Sequence, residues 1–229
     1  MRSGRGTVLD LHWKLLPEPF LSIGNSDLET FFEDRTIARQ PMWLLNNEML
    51  FVYLCAKGAN RSWERISWIV ELAAFTRDRN LDWSRVWNIA IEYGAERMVT
   101  LGTLVAHLLL GSQLPQLVQD EVDANPNLRR SAQDICRALR EQQALEISTV
   151  CVSKWPYFLS LKSSLSQKIG MLVWLLFTPT EDDWLILKVN RHLYPLLYIV
   201  KLIRLVLNTV LRGKRLSGGL NTIRPVPMS

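Results

Sequence analysis

Met98-Val99-Thr100-Leu101-Gly102-Thr103-Leu104-Val105-Ala106-His107-Leu108-Leu109-Leu110 is apolar on nearly every side. A surface helix keeps a polar face, so this pattern predicts a helix buried at the centre of a domain, with other helices packed around it. Just before it, Asp82 is placed to cap a helix from Trp83 to Tyr93 whose inner face is Val86, Trp87 and Ala90, and Gly94 to end it. Further back, Trp63, Ile66, Ile69, Val70, Ala73 and Ala74 recur at helical spacing from Ser62 to about Arg79-Asn80. Asn46 or Asn47 can cap a helix reaching Lys57, and Ser26-Asp27-Leu28-Glu29 has the form of a capping box ahead of Phe31 and Phe32.

On the C-terminal side, Asp123-Ala124-Asn125-Pro126-Asn127 reads as a loop, with Pro126 opening a more polar helix that runs to about Ser148. Lys154-Trp155-Pro156 is expected to break the chain before a helix from Leu159 to Phe177, and a last helix runs from about Arg191 to Arg212. The exception to helix is Thr7-Val8-Leu9-Asp10-Leu11-His12-Trp13. Its period-two alternation puts Val8, Asp10 and His12 on one face and Leu9, Leu11 and Trp13 on the other, the pattern of a half-buried strand. A lone strand needs neighbours for its backbone groups, so it pairs outside this chain or belongs to a sheet whose remainder is missing. The expected fold is mainly α, a bundle-like helical domain over residues 21–212. It is preceded by a strand and connection over 1–20 and followed by a flexible basic tail over 213–229.

With 48% hydrophobic and 21% charged residues, 11 glycines and 10 prolines, the chain of 229 residues is globular rather than disordered or low in complexity. Cys55, Cys136 and Cys151 are far apart, without a C-x-x-C or a nearby histidine, which predicts buried reduced thiols and a cytoplasmic setting. No stretch is long and apolar enough to suggest a membrane span, because charged or polar residues interrupt each candidate.

The net charge of +5 is unevenly placed: residues 184–229 carry 8 basic side chains and no acidic one, whereas the rest of the chain is net acidic. That asymmetry argues against a nucleic-acid surface spread over the whole molecule. In the last helix, Lys201, Arg204, Asn208, Arg212 and Arg215 form a polar stripe, and Leu202, Ile203, Leu205, Val206, Leu207, Val210 and Leu211 cover the rest. Lys201, Arg204, Arg212 and Lys214 are therefore candidates for contact with an anionic membrane surface, which would place the protein at the inner face of the membrane.

Several ordered motifs carry a resemblance. They stand as Asp10-Leu11-His12-Trp13; the run Leu54-Cys55-Ala56-Lys57-Gly58-Ala59-Asn60-Arg61-Ser62-Trp63-Glu64-Arg65-Ile66-Ser67-Trp68-Ile69-Val70-Glu71; Asp82-Trp83; Ala90 with Gly94; and Thr178-Pro179-Thr180-Glu181-Asp182-Asp183-Trp184. In these the chain resembles, from about Val8 to Arg212, the C-terminal portion of a bacterial family of nucleotidyltransferases associated with polysaccharide gene clusters. Trp63, Trp68 and Glu71 occupy motif positions, while Lys57 and Arg61 stand where the family has histidines and Glu71 where it has aspartate. The family's N-terminal nucleotide-binding half, with a D-x-D pair on a strand, has no counterpart in this sequence.

That resemblance implies chemistry in which magnesium and a nucleoside triphosphate meet carboxylates on the sheet. Asp10 would be the third carboxylate and a metal ligand once a partner completes the site, with His12 beside it as a catalytic candidate. Lys57 and Arg61, one helical turn apart, are the candidate phosphate ligands. Trp63, Trp68, Trp83 and Trp87 fall near helical spacing and are read as packing rather than as a stacking surface. The expectation is a truncated nucleotidyltransferase-like chain, inactive until an N-terminal half or homologous partner is supplied. The alternative is a non-catalytic helical scaffold, peripheral to the membrane and linked to polysaccharide biosynthesis.

Overall fold

The computed structural model describes residues 15–17, 19–77, 81–141 and 155–177. Among them the order is α1 (Asn25–Glu29), β1 (Phe32–Ile37), β2 (Gln40–Leu45), α2 (Asn47–Asn60), α3 (Ile66–Arg77), α4 (Trp83–Glu92), α5 (Glu96–Leu110), α6 (Gln116–Ala124), α7 (Pro126–Arg140), α8 (Trp155–Ser160) and α9 (Leu165–Phe177). The fold is mainly helical with one small antiparallel hairpin. The expected strand Val8–Trp13 and the expected last helix lie outside the described residues.

Contacts divide the chain into two units, Met1–Glu146 with Ser160–Lys168, and Ile147–Leu159 with Ile169–Ser229. At the centre of the first is α5, packed against α2, α3, α6 and α7. Met98, Val99, Leu101 and Val105 are fully buried there, as the pattern of residues 98–110 predicts. Thr100 and Thr103 share that burial because each hydroxyl donates to the carbonyl one turn back, Glu96 and Val99 respectively. In the second unit, Phe158, Met171 and Leu175 are buried.

Helix ends follow local chemistry. The Asn46 side chain accepts from the Met49 amide at 2.9 Å, and Asp82 accepts from the amides of Ser84 and Arg85 at 2.9 and 3.1 Å. Gly94, at φ +66°, closes α4 in a Schellman motif: Ala95 N–H donates to Ala90 C=O and Gly94 N–H to Ile91 C=O. Pro126 opens α7, where its missing N–H costs nothing.

Four expectations are corrected. Ser26–Glu29 is not a capping box ahead of a helix through Phe31 and Phe32: the N-cap of the five-residue α1 is Gly24, which has no side chain to cap with, and Phe32 begins a strand. β1 and β2 pair with Phe32 opposite Leu45 and Ile37 opposite Gln40, through a two-residue turn in which Ala38 and Arg39 both have positive φ. The single helix expected from Leu159 to Phe177 is two: α8, with Pro156 in its first turn, ends at Ser160, and α9 begins at Leu165. The loop expected over Asp123–Asn127 shrinks to Asn125, because α6 runs to Ala124, turning Val118 and Val122 inward, and α7 begins at Pro126.

Candidate functional site

The corner between α2 and α3 collects basic and aromatic side chains around a rigid turn. α2 ends in a second Schellman motif, with Ser62 N–H donating to Ala59 C=O at 3.1 Å and Trp63 N–H to Gly58 C=O at 2.8 Å. Ser62 and Trp63 both adopt left-handed backbone, φ +48° and +60°, at a cost on the order of 1 kcal/mol or more each. Packing holds that strain in place. The Trp63 ring is fully buried, and a Cβ added at Gly58 would lie 2.2 Å from it, at Gly102 of α5 2.7 Å. Both positions must therefore be glycine for the ring to enter. Trp63 was expected on α3; it lies three residues before that helix and works as the wedge that seats α2 against α5.

This turn fixes what surrounds it. Lys57 is in the last turn of α2, Arg61 is its C-cap, Arg65 immediately precedes α3, and Trp68 stands in the first turn of α3. The Lys57 ammonium lies 5.6 Å from the Tyr53 ring centre and 5.9 Å from that of Trp68, and the Arg65 guanidinium carbon is 5.7 Å from Trp68. Two cations thus share one indole, within the reach of a cation–π attraction. Arg61 and Arg65 are exposed, and the corner carries one acid, the exposed Glu64, against three cations. The first turn of α3 contains no acidic residue, so its amide end adds to the positive character. Arranged this way, the corner can hold a multiply charged oxyanion: cations and amides for its oxygens, and the Trp68 face for a flat or apolar group.

Among the residues anticipated from sequence, the structure brings Lys57, Arg61 and Trp68 to this corner. Glu71 is exposed one turn further along α3, and Trp63 is core. Asp10 and His12, and with them Lys201, Arg204, Arg212 and Lys214, lie outside the described residues. Tyr53 and Arg65 were missed, although Tyr53, Lys57 and Arg61 step by four along one helix face, a signal open to reading. The Asp82-Trp83 motif is architectural: Asp82 caps α4, and Trp83 sets its ring edge-to-face on Phe51 at 5.2 Å. Buried Glu48 links α2 to the same cap, accepting from Asp82 N–H at 3.3 Å. Cys55 and Cys136 are free and buried, and burial pushes both thiols up. Cys151 lies outside the described residues. Among the described residues no cluster of three or more histidines, cysteines or carboxylates is arranged to hold a metal ion, so the corner offers no ligand set for magnesium.

A second polar cluster joins Ser160–Lys168 to the α4–α5 junction within the first unit. Lys162 is only 3% exposed and donates to the Gly94 carbonyl at 2.7 Å. Arg97 donates to the carbonyls of Lys162 at 2.9 Å and Ser160 at 3.3 Å, and to the Asn125 side chain at 3.0 Å. Ser163 donates to Glu96 at 2.8 Å. Burial lowers the Lys162 ammonium to about 8, against the partial support of Glu96.

No curated protein and no solved structure matches the chain. The D-L-H-W, Leu54–Glu71, Asp82-Trp83 and Ala90/Gly94 elements all fall within one family match; Thr178–Trp184 lies beyond it. Residues 1–111, ending at the glycine that closes α5, match the model of a family described as uncharacterised nucleotidyltransferase.

Proposed function

We infer that this chain serves nucleotidyl transfer and that the α2–α3 corner holds the phosphate groups of the nucleoside triphosphate. In such a reaction an acceptor oxygen bonds to the α-phosphorus and the bond to the pyrophosphate oxygen breaks, with the acceptor's proton passing to a base. Charge accumulates on the departing pyrophosphate, so fixed cations beside it lower the barrier. Lys57, Arg61 and Arg65 are suited to that role. The observation that carries the reading is the convergence of Lys57 and Arg65 on Trp68, with Arg61 on the turn between them, inside the region that matches the family.

Bound magnesium would supply neutralisation of phosphate charge. Residues 1–229 contain no D-x-D pair, so this reading leaves the other metal-holding carboxylates to residues outside this sequence, with Asp10 contributing the third. The acceptor it favours is a hydroxyl of a saccharide precursor, on the strength of the resemblance in the motifs alone. Calorimetric titration with pyrophosphate tests the corner. The parent should bind, and replacing Lys57, Arg61 and Arg65 together by glutamine should weaken binding at least tenfold, since a single charged hydrogen bond is worth about 1.5–3 kcal/mol. Equal affinity in the two proteins would refute the assignment.

A further inference from the structure

Helix α9 presents apolar side chains to solvent along its second-unit portion. Ile169, Val173 and Phe177 follow one another at intervals of four and are 54%, 49% and 47% exposed, while Met171 and Leu175 on the other side are buried. Gly170 is also exposed, with nothing within 4 Å of where a Cβ would lie. None of these solvent-facing positions carries a polar group, and no charged residue occurs from Ile169 to Phe177. A surface helix ordinarily turns charge outward, so an apolar stripe that is left open marks a contact surface.

The geometry points to an anionic lipid bilayer as what this stripe contacts, with α9 lying in the plane of the headgroups. Among the described residues no helix is long and apolar enough to cross a membrane: the 13 residues of α9 rise about 20 Å, against a hydrocarbon core of about 30 Å. Charge complementarity selects the bilayer over a second protein. The sequence that follows Phe177 carries 8 basic residues and no acid over 184–229, five of them between Lys201 and Arg215. Interfacial binding draws on these two contributions together, apolar side chains at the acyl boundary and cations toward anionic headgroups. Each Lys or Arg near such a surface adds about 1 kcal/mol and is screened by salt.

Flotation of the full chain with phosphatidylcholine vesicles, with and without anionic phosphatidylglycerol, tests the inference. The protein should float with the anionic vesicles, at least tenfold less with neutral ones, and less as salt is raised. The pair Ile169→Asp and Val173→Asp should reduce binding at least tenfold, as should glutamine at Lys201, Arg204, Arg212 and Lys214. Hydrogen exchange of the unmodified protein guards against a folding defect in the variants: amides of α9 should exchange more slowly when anionic vesicles are present. The inference is overturned by a parent that does not float or by an aspartate pair that floats like it. Exchange in α9 that ignores the vesicles overturns it too, as does a vesicle-indifferent dimer that the aspartate pair converts to monomer, which would give the stripe to a second copy.

Discussion

The ring of Trp63 occupies the space that a side chain on Gly58 would need: a Cβ there would come within 2.2 Å of the indole. Gly58→Ala therefore cannot be accommodated without moving the wedge between α2 and α5. The expected destabilisation is about 3 kcal/mol, at the upper end for overpacking. Trp63→Ala leaves a large cavity instead, with a loss of about 3–5 kcal/mol. Urea unfolding followed by circular dichroism measures both, and a shift below about 1 kcal/mol for Gly58→Ala would contradict the packing described.

Asp82 is the single side chain that caps α4, through two amides. Asp82→Ala should cost about 1 kcal/mol, and Asp82→Asn or Asp82→Ser much less, because these retain the acceptor. Denaturant midpoints of the three variants check the order.

Lys162 makes the stability of the first unit depend on pH. Its folded value of about 8 lies below the ordinary 10.5, so between those values the unfolded chain binds the extra proton. Stability should therefore increase as pH rises through 8 and level off near 10.5; below 8 the full penalty of burying the ammonium is present. The charged groups facing it are Glu96 and Arg97. Melting temperature measured across pH 7 to 10.5 should show the rise in the parent and lose most of it in Lys162→Met.

Much of the helical framework is legible in the sequence because its signals are local. Asn46, Asp82, Gly94 and Pro126 act within one turn of where they stand, and the apolar run at residues 98–110 can satisfy its side chains only at the centre. The hairpin is not legible. Its turn, Ala38-Arg39, lacks the glycine or asparagine that normally supplies positive φ, and the Ser26–Glu29 pattern imitates a helix start. Trp63 has the spacing of α3 and was read with it, yet its backbone is left-handed, a conformation no periodicity reveals. At the candidate site, Lys57 and Arg61 could be read from spacing, whereas Arg65 reaches Trp68 only because the turn folds back. Lys162 escaped because its partner, Gly94, is 68 residues away in the chain.

The central claim is that phosphate oxygens engage Lys57 and Arg65 in place of the Trp68 ring. The most direct measurement follows the ¹⁵N-labelled indole signals during titration with ATP, with the Trp68 signal identified by its absence in Trp68→Phe. The account predicts a saturable shift of the Trp68 signal in the parent, and its loss when Lys57, Arg61 and Arg65 are glutamine. An ATP titration that leaves the Trp68 signal in place, or one that moves it equally in the triple variant, would contradict the claim.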